Sequence, residues 1–451
     1  MKFRLLKAWE WLRSSFWFIP VLMALGALAL AVALLVLDQN VSYRSLRGYW
    51  WIFSGGAEGA RAVLSSITGS MISVVSITFS LTMVVLSLTA SQFGPRLLRN
   101  FIEDRRTQMA LGGFIGTFVY CLMVLRTIRG TDETEFVPYI SVTAGFALAL
   151  LAVGVFIFFI HHVMTFIQAP NVITNAHDDL LRCIEHLYPD RIGLGRQDAE
   201  RLLGRREAEL SEEAEPVAAS GTGYIQGIDP ESLMEAATEH DVTIRMLARP
   251  GDYVIEGTEC AVASPAGRAT DALAKSINGA LALGGRRTPT QDIRFGFDQL
   301  IEIAMFALSS GINDPHTALT CLDRIGSALC HLAVREIPSS HRYDCDGRLR
   351  VIAEPVTFVQ VTNAVFSEVR QNAGNNASVV LRMLKTISRI STCVRRPEDH
   401  KALWEHARMV REASRETLPV EMDQQEIEEQ YQETLSTLRR TAPRELDPPD
   451  N

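Results

Sequence analysis

The stretch Ala62–Gln92, AVLSSITGSMISVVSITFSLTMVVLSLTASQ, decides the fold. It is apolar over more than the ~20 residues a helix needs to cross a hydrocarbon core, yet it is full of hydroxyls. Ser66, Ser70, Ser73, Ser80, Ser87 and Ser91 recur at steps of three, four or seven, which is the spacing of one helix face. The other faces carry Ile, Val, Leu, Met and Phe. A membrane helix with one continuous hydroxyl stripe either packs closely against another helix or lines water.

Four spans are predicted: Phe16–Leu37, Val63–Ser91, Met109–Leu125 and Val137–Ile160. The first is too long for a signal peptide and has no small-residue cleavage site after it. Lys2, Arg4, Lys7 and Arg13 precede it, and Arg96, Arg99, Arg105 and Arg106 fill the middle loop. This basic excess predicts a multi-pass protein of a bacterial inner membrane with both termini in the cytoplasm. Trp9, Trp11 and Trp17 on one side, and Tyr49, Trp50 and Trp51 on the other, suit interfacial belts. No charged residue or His lies within the core of any span, which weighs against a proton-coupled or ion-coupled transporter. Gly112 and Gly116 stand at GxxxG spacing, read as close packing within one subunit.

The rest of the chain is long enough for its own core. Its predicted divisions are the membrane region 1–162, a juxtamembrane helix and charged linker 163–215, a small β module 216–268, a helical domain 269–440 and a disordered tail 441–451. The seven cysteines follow no CxxC or Cys/His pattern, so free thiols, no structural zinc and no cofactor are expected. The net charge is −8 and no basic stripe interleaves with aromatics, which excludes nucleic acid as a partner. His161 and His162 read as interfacial anchors. A break is expected near Pro170, with His177, Asp178 and Asp179 opening the next helix and the two acids in its first turn.

Thr222–Ile228 and Val242–Leu247 read as strands. The turn Arg249-Pro250-Gly251-Asp252 with the following Tyr253-Val254-Ile255-Glu256-Gly257 resembles the hammerhead of lipoyl and biotinyl carrier domains. The segment has no Lys to carry such a group, so the resemblance implies a small barrel used for structure or interaction. Arg348–Ala353 reads as one more short strand. Helices are predicted at Gln291–Leu308, Thr317–Arg335, Thr357–Gln371, Ala377–Val394, Glu398–Glu416 and Gln424–Arg440. Between the first two, Gly311 suits a C-cap, Asp314 an N-cap and Pro315 the first helical position. Asp298, Glu302, Asn313, Asp314 and His316 form a candidate polar site, although no metal-ligand spacing is present.

Four features in order carry a resemblance over nearly the whole chain. They are the four spans, the hydroxyl-rich span ending Ser91-Gln92-Phe93-Gly94-Pro95-Arg96, the Gly-Tyr-Ile-Gln-Gly-Ile-Asp strand with Arg-Pro-Gly-Asp, and Ala-Leu-Ser-Ser-Gly-Ile-Asn-Asp-Pro. Together they resemble a family of predicted bacterial membrane proteins known as the domain of unknown function numbered twenty-two fifty-four. Relatives commonly read Ser-Pro-Gly-Ile-Asn-Asp-Pro, where Ser310 here replaces the Pro. The resemblance implies an inner-membrane protein with a large cytoplasmic domain, and it transfers no catalytic residue.

Three readings follow. The first is an oligomeric channel lined by Ser66, Ser70, Ser73, Ile77, Ser80, Val84, Ser87 and Ser91, with Gln92, Phe93, Arg96 and Arg99 at its cytoplasmic mouth. Ile77 and Val84 would form a hydrophobic constriction. Its expected partners are the lipid bilayer, further copies of the chain, and ions or a small cytoplasmic ligand. The second is a membrane-anchored sensor or scaffold without conductance. The third is an enzyme using the Asp298/Asp314 cluster; the absence of a recognised catalytic pattern ranks it last.

Overall fold

Four helices carry the apolar runs: α1 (Phe18–Asn40), α2 (Ala57–Phe93), α3 (Arg105–Thr127) and α4 (Tyr139–Phe166). The computed structural model describes residues 16–40, 53–93, 104–131, 134–166, 168–188, 214–373 and 376–442. The chain divides into two units, Met1–Asn171 and Val172–Asn451. All four helices are long and apolar enough to cross a membrane. The basic and aromatic flanks before residue 16, at 41–52 and at 94–103 lie outside the described residues, as do most of the expected linker and tail.

With 37 residues, α2 extends ~55 Å at 1.5 Å per residue, beyond the ~30 Å of a hydrocarbon core. A hairpin of β1 (Arg129–Thr131) and β2 (Thr134–Phe136), not foreseen in the sequence, joins α3 to α4.

Close approach builds this bundle. A Cβ on Gly112 would fall 2.7 Å from Met23 Sδ and 3.1 Å from Pro20 Cα, and one on Gly116 3.4 Å from Ala27 Cβ. The GxxxG pair therefore seats α3 on α1 within one subunit. One apolar cluster gathers Ala31, Leu64, Tyr120, Val124 and Val142. A second gathers Met71, Val85, Phe114, Phe159 and Val163. Carboxylates close two helix ends. Asp38 accepts from the Ile140 and Ser141 backbone N–H groups at 2.9 Å and from the Ser141 hydroxyl at 2.6 Å. It thus satisfies the orphan donors that open α4. Asp104 is the N-cap of α3 and accepts from Thr107 N and Oγ1.

The second unit includes most of α5 (Ala169–Leu187). Pro170 lies in its first turn, where its missing N–H costs nothing. Asp178 and Asp179 therefore sit in mid-helix rather than in a first turn, because the break falls earlier than expected. Next come β3 (Glu215–Ala218), β4 (Gly223–Ile228), α6 (Pro230–Glu239), β5 (Thr243–Met246), β6 (Tyr253–Val254), β7 (Glu259–Ser264), α7 (Asp271–Ala280) and β8 (Leu281–Gly284). Then follow α8 (Ile293–Leu308), α9 (Pro315–Ala333), β9 (His341–Tyr343), β10 (Leu349–Ile352), α10 (Phe358–Asn372), α11 (Ala377–Ser391), α12 (Pro397–Thr417) and α13 (Glu421–Thr441).

The described strands of this unit form two sheets. One has the order β3-β7-β5-β10-β9 and the other β6-β4-β8. In the larger sheet β10 runs parallel to β5, with Val351 opposite Ile244, and the other pairings are antiparallel. Helices α6 and α7 cover a core of Ile225, Leu233, Ile244, Leu273, Ile277 and Val351. The sheet thus draws a strand from beyond residue 268, which local sequence cannot reveal. At the Pro-Gly-Asp turn, Gly251 has φ 93°, and a Cβ there would lie 2.1 Å from Asp292 Oδ2. Only Gly meets both demands.

Candidate functional site

On α2 the two faces separate cleanly. Leu64, Met71, Thr78, Thr82, Val85 and Thr89 are buried against the bundle. Every predicted pore-lining residue points the other way: Ser66, Ser70, Ser73, Ser80, Ser87 and Ser91 are exposed, as are Ile77 (54%) and Val84 (52%). At ~100° per residue these eight positions fall within an arc of ~100°. Among the described residues, the other three helices of the bundle thus leave the serine face uncovered. Gln92 and Phe93 end α2, while Arg96 and Arg99 lie outside the described residues.

Several hydroxyls bond back to their own helix. Ser70 donates to Ser66 O at 2.8 Å, Ser73 to Gly69 O at 3.1 Å and Ser91 to Leu88 O at 3.0 Å. Such bonds lower the cost of a hydroxyl away from water, and they leave oxygen lone pairs facing outward. The opposite face holds a second hydroxyl row that the sequence reading passed over. Thr78, Thr82 and Thr89 are spaced by four and seven and are all buried. Their spacing was visible in the same stretch, but they were hidden among the apolar residues around them.

His162 Nε2 of α4 lies 2.8 Å from Asp104 Oδ2. His162 is therefore the partner of a capping carboxylate, a role that sequence distance concealed. Asp104 lies just before α3. Burial opposes its charge, but the bonds from Thr107 and His162 prevail and hold its pKa below the ordinary value.

In the second unit the predicted polar residues sort onto different partners. Asp298 pairs with Arg287. The same guanidinium binds Asp292, the buried N-cap of α8, at 2.7 Å. Glu302 lies one turn beyond Asp298 on α8. Asp314 caps α9, accepting from Thr317 N at 3.3 Å and Oγ1 at 2.6 Å. The hydroxyl bond is the main reason its pKa is lowered. His316 and Asn313 are exposed at that junction. The C-cap of α8 is Ser309 and not Gly311. The left-handed residue is Asn313, at φ 49°, whose N–H donates to Ser309 O at 2.9 Å. Asn tolerates that conformation, so the turn forms with Ser at position 310. Among the described residues no three His, Cys, Asp or Glu side chains gather as a metal ion would require.

Four apolar helices followed by a mixed α/β and helical unit define a multi-span membrane protein. The chain belongs to the family described as predicted membrane protein (DUF2254), whose model matches residues 13–389. It is similar to uncharacterised proteins of Mycobacterium bovis and Mycobacterium tuberculosis, each 30% identical over 371 residues, which is 81% of this chain and 70% of the relative. No solved structure matches.

Proposed function

We propose that this protein is an oligomeric ion channel of the bacterial inner membrane, with the serine face of α2 lining the pore. The observation that carries the reading is the exposure of that whole face while the threonine face packs inside the subunit. Four thin helices enclose no pathway by themselves, so several subunits would bring their serine faces to a common axis. Rings of hydroxyl oxygens replace part of an ion's hydration shell without trapping it, and Ile77 and Val84 supply a constriction that gates by dewetting. Because Ser70, Ser73 and Ser91 donate to their own backbone, these three present oxygen lone pairs to an ion, which favours cations. Both termini are read as cytoplasmic, and the second unit as the part that assembles the oligomer and responds to a ligand.

The second reading, a membrane-anchored scaffold, draws on the same back-bonded serines, since a self-satisfied hydroxyl tolerates lipid. Cysteine accessibility separates the two. Cysteines replacing Ser73, Ser80 or Ser87 should react with a charged, membrane-impermeant thiol reagent, while those replacing Ile72 or Met83 should not. Equal protection at all five positions supports the scaffold.

A further inference from the structure

We infer that the crevice between α10, α11 and α12 is a binding site for a small oxyanion, with Arg370 as its cation. The crevice measures about 50 Å³ and is lined by Arg370 and Gln371, Val380 and Met383, and Ser414 and Thr417, among others, none of them acidic. Arginines adjacent to lining residues are neutralised: Arg382 by Asp323, and Arg411 and Arg415 by Glu428. Arg370 has no carboxylate partner among the described residues, and its buried Nε has no acceptor. A half-buried guanidinium without a counter-charge is costly, and its planar fork matches a carboxylate or a phosphate group.

Two further observations narrow the site. Ser414 and Thr417 donate to the carbonyls of Arg411 and Ala413, so Arg370 and the Gln371 amide are the donors left for an anion. His406 of α12 bonds Asn363 through Nε2 at 2.8 Å, and its Nδ1 is buried without a partner. Burial and the nearby Arg370 charge hold this ring neutral near pH 7, so the positive charge at the site is that of Arg370. At about 50 Å³ the crevice suits a small anionic head, and any larger remainder of a ligand would extend into solvent.

The test is calorimetry and thermal unfolding of the full chain in detergent, titrated with sodium phosphate or sodium acetate against chloride of equal ionic strength. Saturable binding of either anion is expected, with a Tm rise on the order of several degrees at saturation. Arg370→Gln should weaken it at least tenfold and Arg370→Lys less. Val380→Phe, which fills the crevice but keeps the charge, should weaken it too and guards against a folding defect in the first variant. Response to phosphate alone, or to acetate alone, assigns the oxyanion class. No saturable response to either anion, or an unchanged response in both Arg370→Gln and Val380→Phe, overturns the proposal.

Discussion

Thr78 and Ser80 stand two residues apart on α2 and face opposite ways, Thr78 buried at 1% exposure and Ser80 open. Two steps along a helix turn by ~200°, so one residue belongs to the bundle and the other to whatever the bundle meets. Leu at Thr78 must displace packed neighbours and should cost about 1–3 kcal/mol. Leu at Ser80 should leave the subunit's stability within about 0.5 kcal/mol. Unfolding in mixed micelles measures both, and equal losses would mean that the two faces are not distinct.

Gly112 tests the α1–α3 contact. Gly112→Ala brings a methyl against Met23 Sδ and Pro20 Cα, and the backbone atom cannot swing aside as a side chain can. A loss of about 1–3 kcal/mol is expected. At Gly113 the nearest atom to a new Cβ is Met23 Cε at 3.9 Å, so Gly113→Ala should be neutral or slightly stabilising.

Asp38 tests the closure of α4. Asp38→Ala removes three hydrogen bonds at that helix start and should cost about 1–2 kcal/mol. Asp38→Asn keeps an acceptor and should restore part of this. Hydrogen exchange at Ile140 and Ser141 reports the effect locally, and unchanged protection in Asp38→Ala would contradict the capping role.

The spans, the GxxxG motif, the Asp314 cap and Pro315 at a helix start were legible because each depends on neighbours within a turn or two. The pairing of β10 with β5 and the Asp104–His162 contact were not, because they join residues far apart in sequence. Helix α6 is only ten residues long, too short to impose a period on a stretch that otherwise reads as strand. The polar cluster around Asp298 and Asp314 was legible as composition only. Its division between Arg287 and Thr317 depends on where α8 begins and ends.

The buried histidines predict acid sensitivity. Burial first, then Arg370, draws the His406 pKa from 6.5 to about 4. Between those values the unfolded chain binds a proton that the folded one refuses. Stability is therefore unaffected above pH 6.5, falls as pH drops through the window and levels off below about 4. At ~1.4 kcal/mol per unit the loss from this ring is on the order of 3 kcal/mol. His177 and His400, also lowered mainly by burial, act in the same direction. Thermal unfolding of wild type and His406→Asn from pH 4 to 8 checks this, and the variant should show the shallower decline.

The most direct test of the channel reading is planar-bilayer conductance of the purified protein beside Val84→Ser and Ser80→Leu. Discrete cation currents that rise when Val84 is made polar and fall when Ser80 is made apolar are the predicted result. A silent bilayer for all three proteins, with folded protein recovered from the membrane, would contradict it.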